Sequence, residues 1–182
     1  MHKITQFLIL LFILLGTVSY AQQQTTEDIT KAIAVLQPVQ GQSTQGSTIH
    51  GTITFTKSGS DMLVTGDIEG LAPGRHGIHI HQYGDLSSTD GKSAGDHFNP
   101  TNQQHGDPNM SMHHGGDLGN ITAGSDGKAH LEIKVSGLDF SGPNSIIGRS
   151  VVVHANEDDL MSQPAGNSGA RIAFGVIGIA QK

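Results

Sequence analysis

The tract "HGIHIHQYGD", residues 76–85, places three histidines within six positions. Alternate residues of an extended chain share a face. His79 and His81 therefore project together, and His76, three residues before His79, projects the other way. Neutral imidazole is the commonest protein ligand for metals, and one strand would hold two such rings at a fixed separation. A polar sheet surface accounts for the same pair. Further along, His97, His105, His114 and Asp117 follow as His-x7-His-x8-His-x2-Asp. Three imidazoles and a carboxylate suit four-coordinate zinc, and a closed set of four protein ligands is the structural kind. Such a site would order the chain around it, because metal-binding energy becomes folding energy. A solvated, histidine-rich loop is the competing reading, and His113 leaves the register of the third imidazole open. His154 ends the apolar run of "RSVVVHAN" and shares parity with Val152; alone, it reads as a structural histidine.

The elements that must position these residues read as strands. "AIAVLQ", "STIHGTITFT", "DMLVTGDIEG", "RHGIHIHQYG", "AHLEIKVSG", "RSVVVHAN" and "RIAFGVIGIA" have strand length and β-branched content without a 3.6-residue period. "TKSGSD" and "AGSDGK" suit hairpin turns. Abundant glycine (25 residues) and few aromatics (4%) agree with a turn-rich, all-β chain, and eleven histidines add the metal signal. The expected fold is a Greek-key β-sandwich or flattened barrel of about eight antiparallel strands. Residues 85–115 and 156–169 interrupt the rhythm as long irregular loops. Connections of that length in a compact domain are functional or disordered, and the first contains four of the histidines.

Residues 1–21, "MHKITQFLILLFILLGTVSYA", read as a secretory signal peptide cleaved after Ala21. The apolar run is short for a bilayer core of roughly 30 Å, and no basic cluster follows it. Residues 22–31 are a polar N-terminal segment, and 32–182 form one β domain. The protein is thus expected to be exported, periplasmic or extracellular, with no membrane association after cleavage. A net charge of −6 disfavours nucleic acid and anionic membrane surfaces as partners. No cysteine is present, so stability must come from the core and from bound metal.

"GIHIHQYGD", "SAGDHFNP", "HGDP", "HGGDLGN", "GRSVVVHANEDDL" and "GNSGARIAFGVIGIAQ" occur in one order and spacing along the chain. In this the sequence resembles the copper/zinc superoxide dismutases, as an exported, bacterial-type member. The resemblance implies dismutation of superoxide to O2 and H2O2 by a redox-cycling copper. It makes His79, His81, His97 and His154 the copper ligands, and His97, His105, His114 and Asp117 the zinc ligands. His97 would bridge both ions, which together lower the pKa of its second ring proton. It selects His114 over His113. Asp158, rather than Asp159, matches an aspartate that orients one histidine on each metal, and Arg171 matches the arginine that receives the anionic substrate.

Two departures stand out. No lysine or arginine lies between His154 and Arg171, so long-range steering of superoxide is expected to be weak. Members of this family usually tie the long loop to the last strand through two cysteines, and here those places hold Gly91, give or take one residue, and Phe174. That absence leaves monomer and homodimer both open. A copper- and zinc-buffering protein on the same fold is the alternative reading. It would need the ligands but not Arg171, Asp158 or a bridging His97.

Overall fold

The computed structural model describes residues 28–40 and 48–181. The signal peptide and most of the polar segment lie outside the described residues. Eight strands follow in chain order: β1 (Lys31–Pro38), β2 (His50–Ser58), β3 (Asp61–Glu69), β4 (Gly74–His81), β5 (Asp117–Ala123), β6 (Ala129–Ser136), β7 (Ser150–His154) and β8 (Arg171–Ile179). All neighbouring pairs are antiparallel, in the order β5-β4-β7-β8-β1-β2-β3-β6. The edge strands β5 and β6 are joined by a turn and approach each other, so the sheet curls into a nearly closed barrel. β3 pairs with β6 and β4 with β7, so the β3–β4 and β6–β7 connections cross the barrel in Greek-key fashion.

Period-two alternation fills the interior. Ala32, Ala34 and Leu36 of β1, Ile53 and Phe55 of β2, Met62, Val64 and Ile68 of β3, and Leu131 and Val135 of β6 are buried in one cluster. Their neighbours in sequence face outward. β4 and β7 depart from this pattern because both of their faces are covered. Ile78, Ile80, Val151 and Val153 enter the barrel, while His79, His81 and Val152 are buried on its outer side. The cover is the pair of long loops expected from the sequence.

β5 is the strand that the alternation pattern misses. Its first three residues are all buried, and Gly119 adopts φ +80°, so the polar-out rhythm is confined to the four residues from Asn120 to Ala123, too short a stretch to mark a strand. Asp117, which no strand expected from the sequence contains, is the first residue of this one. The remaining extended stretches coincide with β1–β4 and β6–β8 to within a few residues. β1 starts at Lys31, and Ile29 already packs on the core.

Candidate metal centre

His79 and His81 point outward from β4, and His154 ends the adjacent β7. His97 comes from the long loop and forms an isolated antiparallel bridge with His81. The strap is backbone: Ile80 N–H donates to Gly116 O (2.8 Å), Phe98 N–H to Ile80 O (2.8 Å), and Gly116 N–H to Phe98 O (2.7 Å). Any Cβ at Gly116 would collide with the Ile80 carbonyl, so the loop can lie this close only with glycine there. The result stacks the His79 and His97 rings, with centroids 3.9 Å apart, and brings His81 Nε2 to 3.3 Å from His154 Nε2. One ring nitrogen from each of His79, His81, His97 and His154 falls within 4.8 Å of all the others.

His97 also belongs to a second such group with His105, His114 and Asp117. Asp117 Oδ1 lies 2.8 Å from His97 Nδ1, 3.0 Å from His105 Nδ1 and 3.4 Å from His114 Nδ1. The last two approaches are close without hydrogen-bond alignment, since both nitrogens are without a bonding partner. Asp117 Oδ2 accepts the backbone N–H of His114 (2.8 Å) and Gly106 (3.1 Å), closing the loop on the carboxylate. His113 lies outside both groups, its Nδ1 turned to the His114 carbonyl.

Asp158 joins the two halves. Its Oδ2 is 2.8 Å from His79 Nε2 and its Oδ1 is 2.9 Å from His105 Nε2. Asn120 clamps the Asp158 backbone by accepting from its N–H (2.8 Å) and donating to its carbonyl (2.9 Å). Gly166, at φ +62°, packs so tightly that a Cβ would overlap both Asp158 and His105. Gln163 accepts the His105 N–H and donates to the His105 carbonyl, each at 2.9 Å. Asn120, Gly116, Gly166 and Gln163 are supports that the sequence reading did not single out. Gly116 and Asn120 lay in the quoted motif "HGGDLGN" and Gly166 opens "GNSGARIAFGVIGIAQ", whereas Gln163 lay in none. His76 faces the opposite way, with Nδ1 2.9 Å from the His154 carbonyl and Nε2 2.9 Å from that of Ala72. It braces β4 against the end of β7.

Four of the six histidines in the groups keep a ring nitrogen free of protein partners. His79 Nδ1, His97 Nε2, His105 Nδ1 and His114 Nδ1 are buried without any hydrogen-bond partner. Orphaned buried polar atoms are rare in native proteins, and four converging in one place fit a cation. Electrostatics favours the same use. Burial lowers the pKa of His79, and it lowers those of His81 and His154 further, with help from neighbouring histidines. Burial likewise brings His97 down to about 4. These rings are held neutral near pH 7, the form that ligates. Around His105, burial is overridden by the hydrogen bond to Asp158 and by the Asp117 carboxylate 3.0 Å away, and its pKa rises to about 9. Both carboxylates, despite burial, are pushed well below the usual range by their histidine partners.

Arg171 opens β8 directly opposite His154. Its guanidinium donates to the carbonyls of Gly91 (2.6 Å) and Gly95 (2.7 Å) on either side of a short 3₁₀ turn at 92–94. Thus fixed, it lines a cavity of about 390 Å³ together with His81, His97, His114 and His154. A small satellite core sits under that turn. Val39, Ala94, Val152 and Phe174 are buried together, with Leu86 packed against them. Phe174 occupies one of the two places where the family resemblance puts a cysteine, so an apolar contact stands in place of a crosslink.

A Greek-key barrel carrying two groups of four residues that could each hold a metal ion, with one histidine in common, is the frame of a binuclear metalloprotein. The family model described as copper/zinc superoxide dismutase matches residues 49–177. An extracellular copper/zinc superoxide dismutase of Brugia pahangi is 47% identical over 167 residues, covering 86% of this chain and 80% of that protein. A copper/zinc superoxide dismutase of Onchocerca volvulus is 50% identical over 162 residues, or 82% and 96% of the two chains. A crystal structure of the clock protein EA4 superposes with a TM-score of 0.74 at 41% identity, over 85% of this chain and 97% of its own. The chain belongs to the copper/zinc superoxide dismutase family. It is an exported copper- and zinc-dependent oxidoreductase that dismutes superoxide to O2 and H2O2.

Proposed function

We propose that His79, His81, His97 and His154 hold copper, that His97, His105, His114 and Asp117 hold zinc, and that Arg171 receives superoxide. Bound copper supplies a one-electron redox couple, and zinc adds fixed positive charge. The observation that carries this assignment is the pair of ligand groups meeting at His97 beside Arg171. His97 belongs to both groups, and its Nδ1 lies 2.8 Å from Asp117 Oδ1. Its Nε2 has no protein partner, so it is the ring atom free to carry a proton at the cavity. Asp158 fixes the tautomers of His79 and His105 by accepting at their Nε2 atoms. Arg171 is anchored by two carbonyls and keeps its charge, so it offers an anion a preset site. A metal-buffering protein needs none of these last arrangements.

The test is superoxide consumption by protein of verified copper and zinc content, with Arg171→Ala alongside. A charge-assisted hydrogen bond is worth about 1.5–3 kcal/mol, so kcat/KM should fall roughly tenfold to a hundredfold in the variant. Undetectable turnover in fully loaded wild type would favour the buffering reading. Cleavage of the signal peptide after Ala21, into the periplasm or the extracellular space, is the export route we propose, and N-terminal sequencing of the secreted protein reads it directly. Monomer and homodimer both accommodate this site, and sedimentation velocity distinguishes them.

A further inference from the structure

The sequence has five methionines, and their placement is uneven. Met62 is fully buried in the barrel core. Met110, Met112 and Met161 are 65%, 63% and 78% exposed. All three line one groove, between the 104–112 part of the long loop and the 159–163 part of the second loop. Methionine usually serves as core filler, so three exposed thioethers collected from two separate loops call for a physical reason.

The groove is built on fixed backbone. Met110 N–H donates to the Asp107 carbonyl (2.9 Å), and Met161 N–H donates to Asp159 Oδ1 (3.0 Å). Gln163 couples the loops by bonding both backbone groups of His105 while donating to the Met161 carbonyl (3.1 Å). Asp107 and Asp159 line the groove as well, and His105 forms part of its wall. Thioether sulfur is a soft, neutral ligand that selects monovalent copper over zinc, calcium or magnesium. Two nearby carboxylates make the groove attractive to a cation and unattractive to an anion such as superoxide. An apolar peptide would gain nothing from those charges.

We propose that Met110, Met112 and Met161 form a surface capture site for Cu(I), separate from the two histidine groups and shared between both loops. The site lies against His105 and shares no lining residue with the Arg171 cavity. It does not depend on the ligand assignments above.

The test uses the copper- and zinc-loaded protein and silver(I), a redox-silent soft cation of the same charge and d¹⁰ configuration. Competition against a coloured chelator should reveal one silver equivalent per chain in wild type. That equivalent should be absent from the triple variant Met110→Leu, Met112→Leu, Met161→Leu, with bound copper, bound zinc and dismutase activity unchanged. Met161→Leu alone should weaken binding at least tenfold, because one loop cannot complete the site. Equal silver uptake by wild type and triple variant would overturn the proposal. So would full affinity in Met161→Leu. Loss of dismutase activity in wild type would bear on the histidine assignments and leave this test intact.

Discussion

The two ligand groups draw on different kinds of structure. Three of the four proposed copper ligands, His79, His81 and His154, sit on β4 and β7, whose ladders also carry the barrel core. Three of the four proposed zinc ligands, His97, His105 and His114, come from the long loop, and only Asp117 stands on a strand. The first group is held in place by the same hydrogen bonds that make the barrel. The second hangs on β4 only by the short backbone strap at Ile80, and otherwise on side chains: Asp117, Asp158 and Gln163, to which a bound ion would add. A redox site benefits from ligands that do not move, and a structural site from ligands whose capture orders a loop.

The largest test of that difference is metal removal. Structural zinc can be worth on the order of 10 kcal/mol of apparent folding energy, and a domain of this size shifts by about 2–4 °C per kcal/mol. Complete chelation should lower Tm by about 20 °C or more. Hydrogen exchange should rise across residues 97–116 while β4 and β7 amides stay protected. Equal melting temperatures, or exchange rising evenly over strands and loop, would break the comparison.

Next in size is Phe174→Ala. The first half of the long loop is anchored by the satellite core rather than by metal, since Leu86 and Ala94 pack with Phe174. Truncating a buried phenylalanine costs about 3–5 kcal/mol. Loosening should be confined to residues 86–95, and with it the carbonyls that hold Arg171. A rise in KM for superoxide at unchanged zinc content should accompany the loss, with Phe174→Leu recovering most of both. Loss of zinc instead would show that the loop's two halves are not separately anchored.

How much of this the sequence made legible follows the same division. Strand parity separated His76 from His79 and His81 because a two-residue period is a property of the backbone itself. The loop ligands had no such rule, and His114 could be told from His113 only through family resemblance. β5 was hidden because burial of both faces over its first three residues leaves only four residues of alternation. Gly166 and Gln163 were invisible for a further reason. Their importance lies in contacts with Asp158 and His105, residues 8 and 58 positions away, and no local pattern encodes such contacts.

pH should sharpen the contrast by a smaller amount. His79, His81, His97 and His154 have folded pKa values below the unfolded value near 6.5, so the unfolded chain binds more protons as pH falls below that point. Metal-free protein should therefore lose stability on acidification. His105 has the opposite sign. Its pKa of about 9 means that its contribution is complete below 6.5 and is lost as pH rises through 9. Thermal scans of chelated protein should show a maximum near neutrality with falling limbs on both sides. In zinc-loaded protein the alkaline limb should vanish, because the ring then ligates in its neutral form. A flat alkaline profile without metal would mean that His105 is not held by Asp117 and Asp158 as the structure has it.

The smallest expected effect concerns the substrate's approach. Arg171 is the cationic side chain lining the cavity, and the loop from His154 to Arg171 adds acidic residues but no lysine or arginine. Lys92, on the turn beside Arg171, is paired with Asp90 at 2.8 Å. A single partly buried guanidinium attracts superoxide over short range, where salt screens little, whereas a field from several exposed lysines would extend over about one Debye length, roughly 8–10 Å at physiological salt. kcat/KM should therefore vary only weakly between low and physiological ionic strength. Adding a lysine at the exposed Asn102, on the cavity rim, should raise the rate at low salt and restore a salt dependence. A steep fall with ionic strength in the wild type would show that charges beyond Arg171 already guide the anion, and the copper side would then owe its reactivity to the wider surface as well as to its strands.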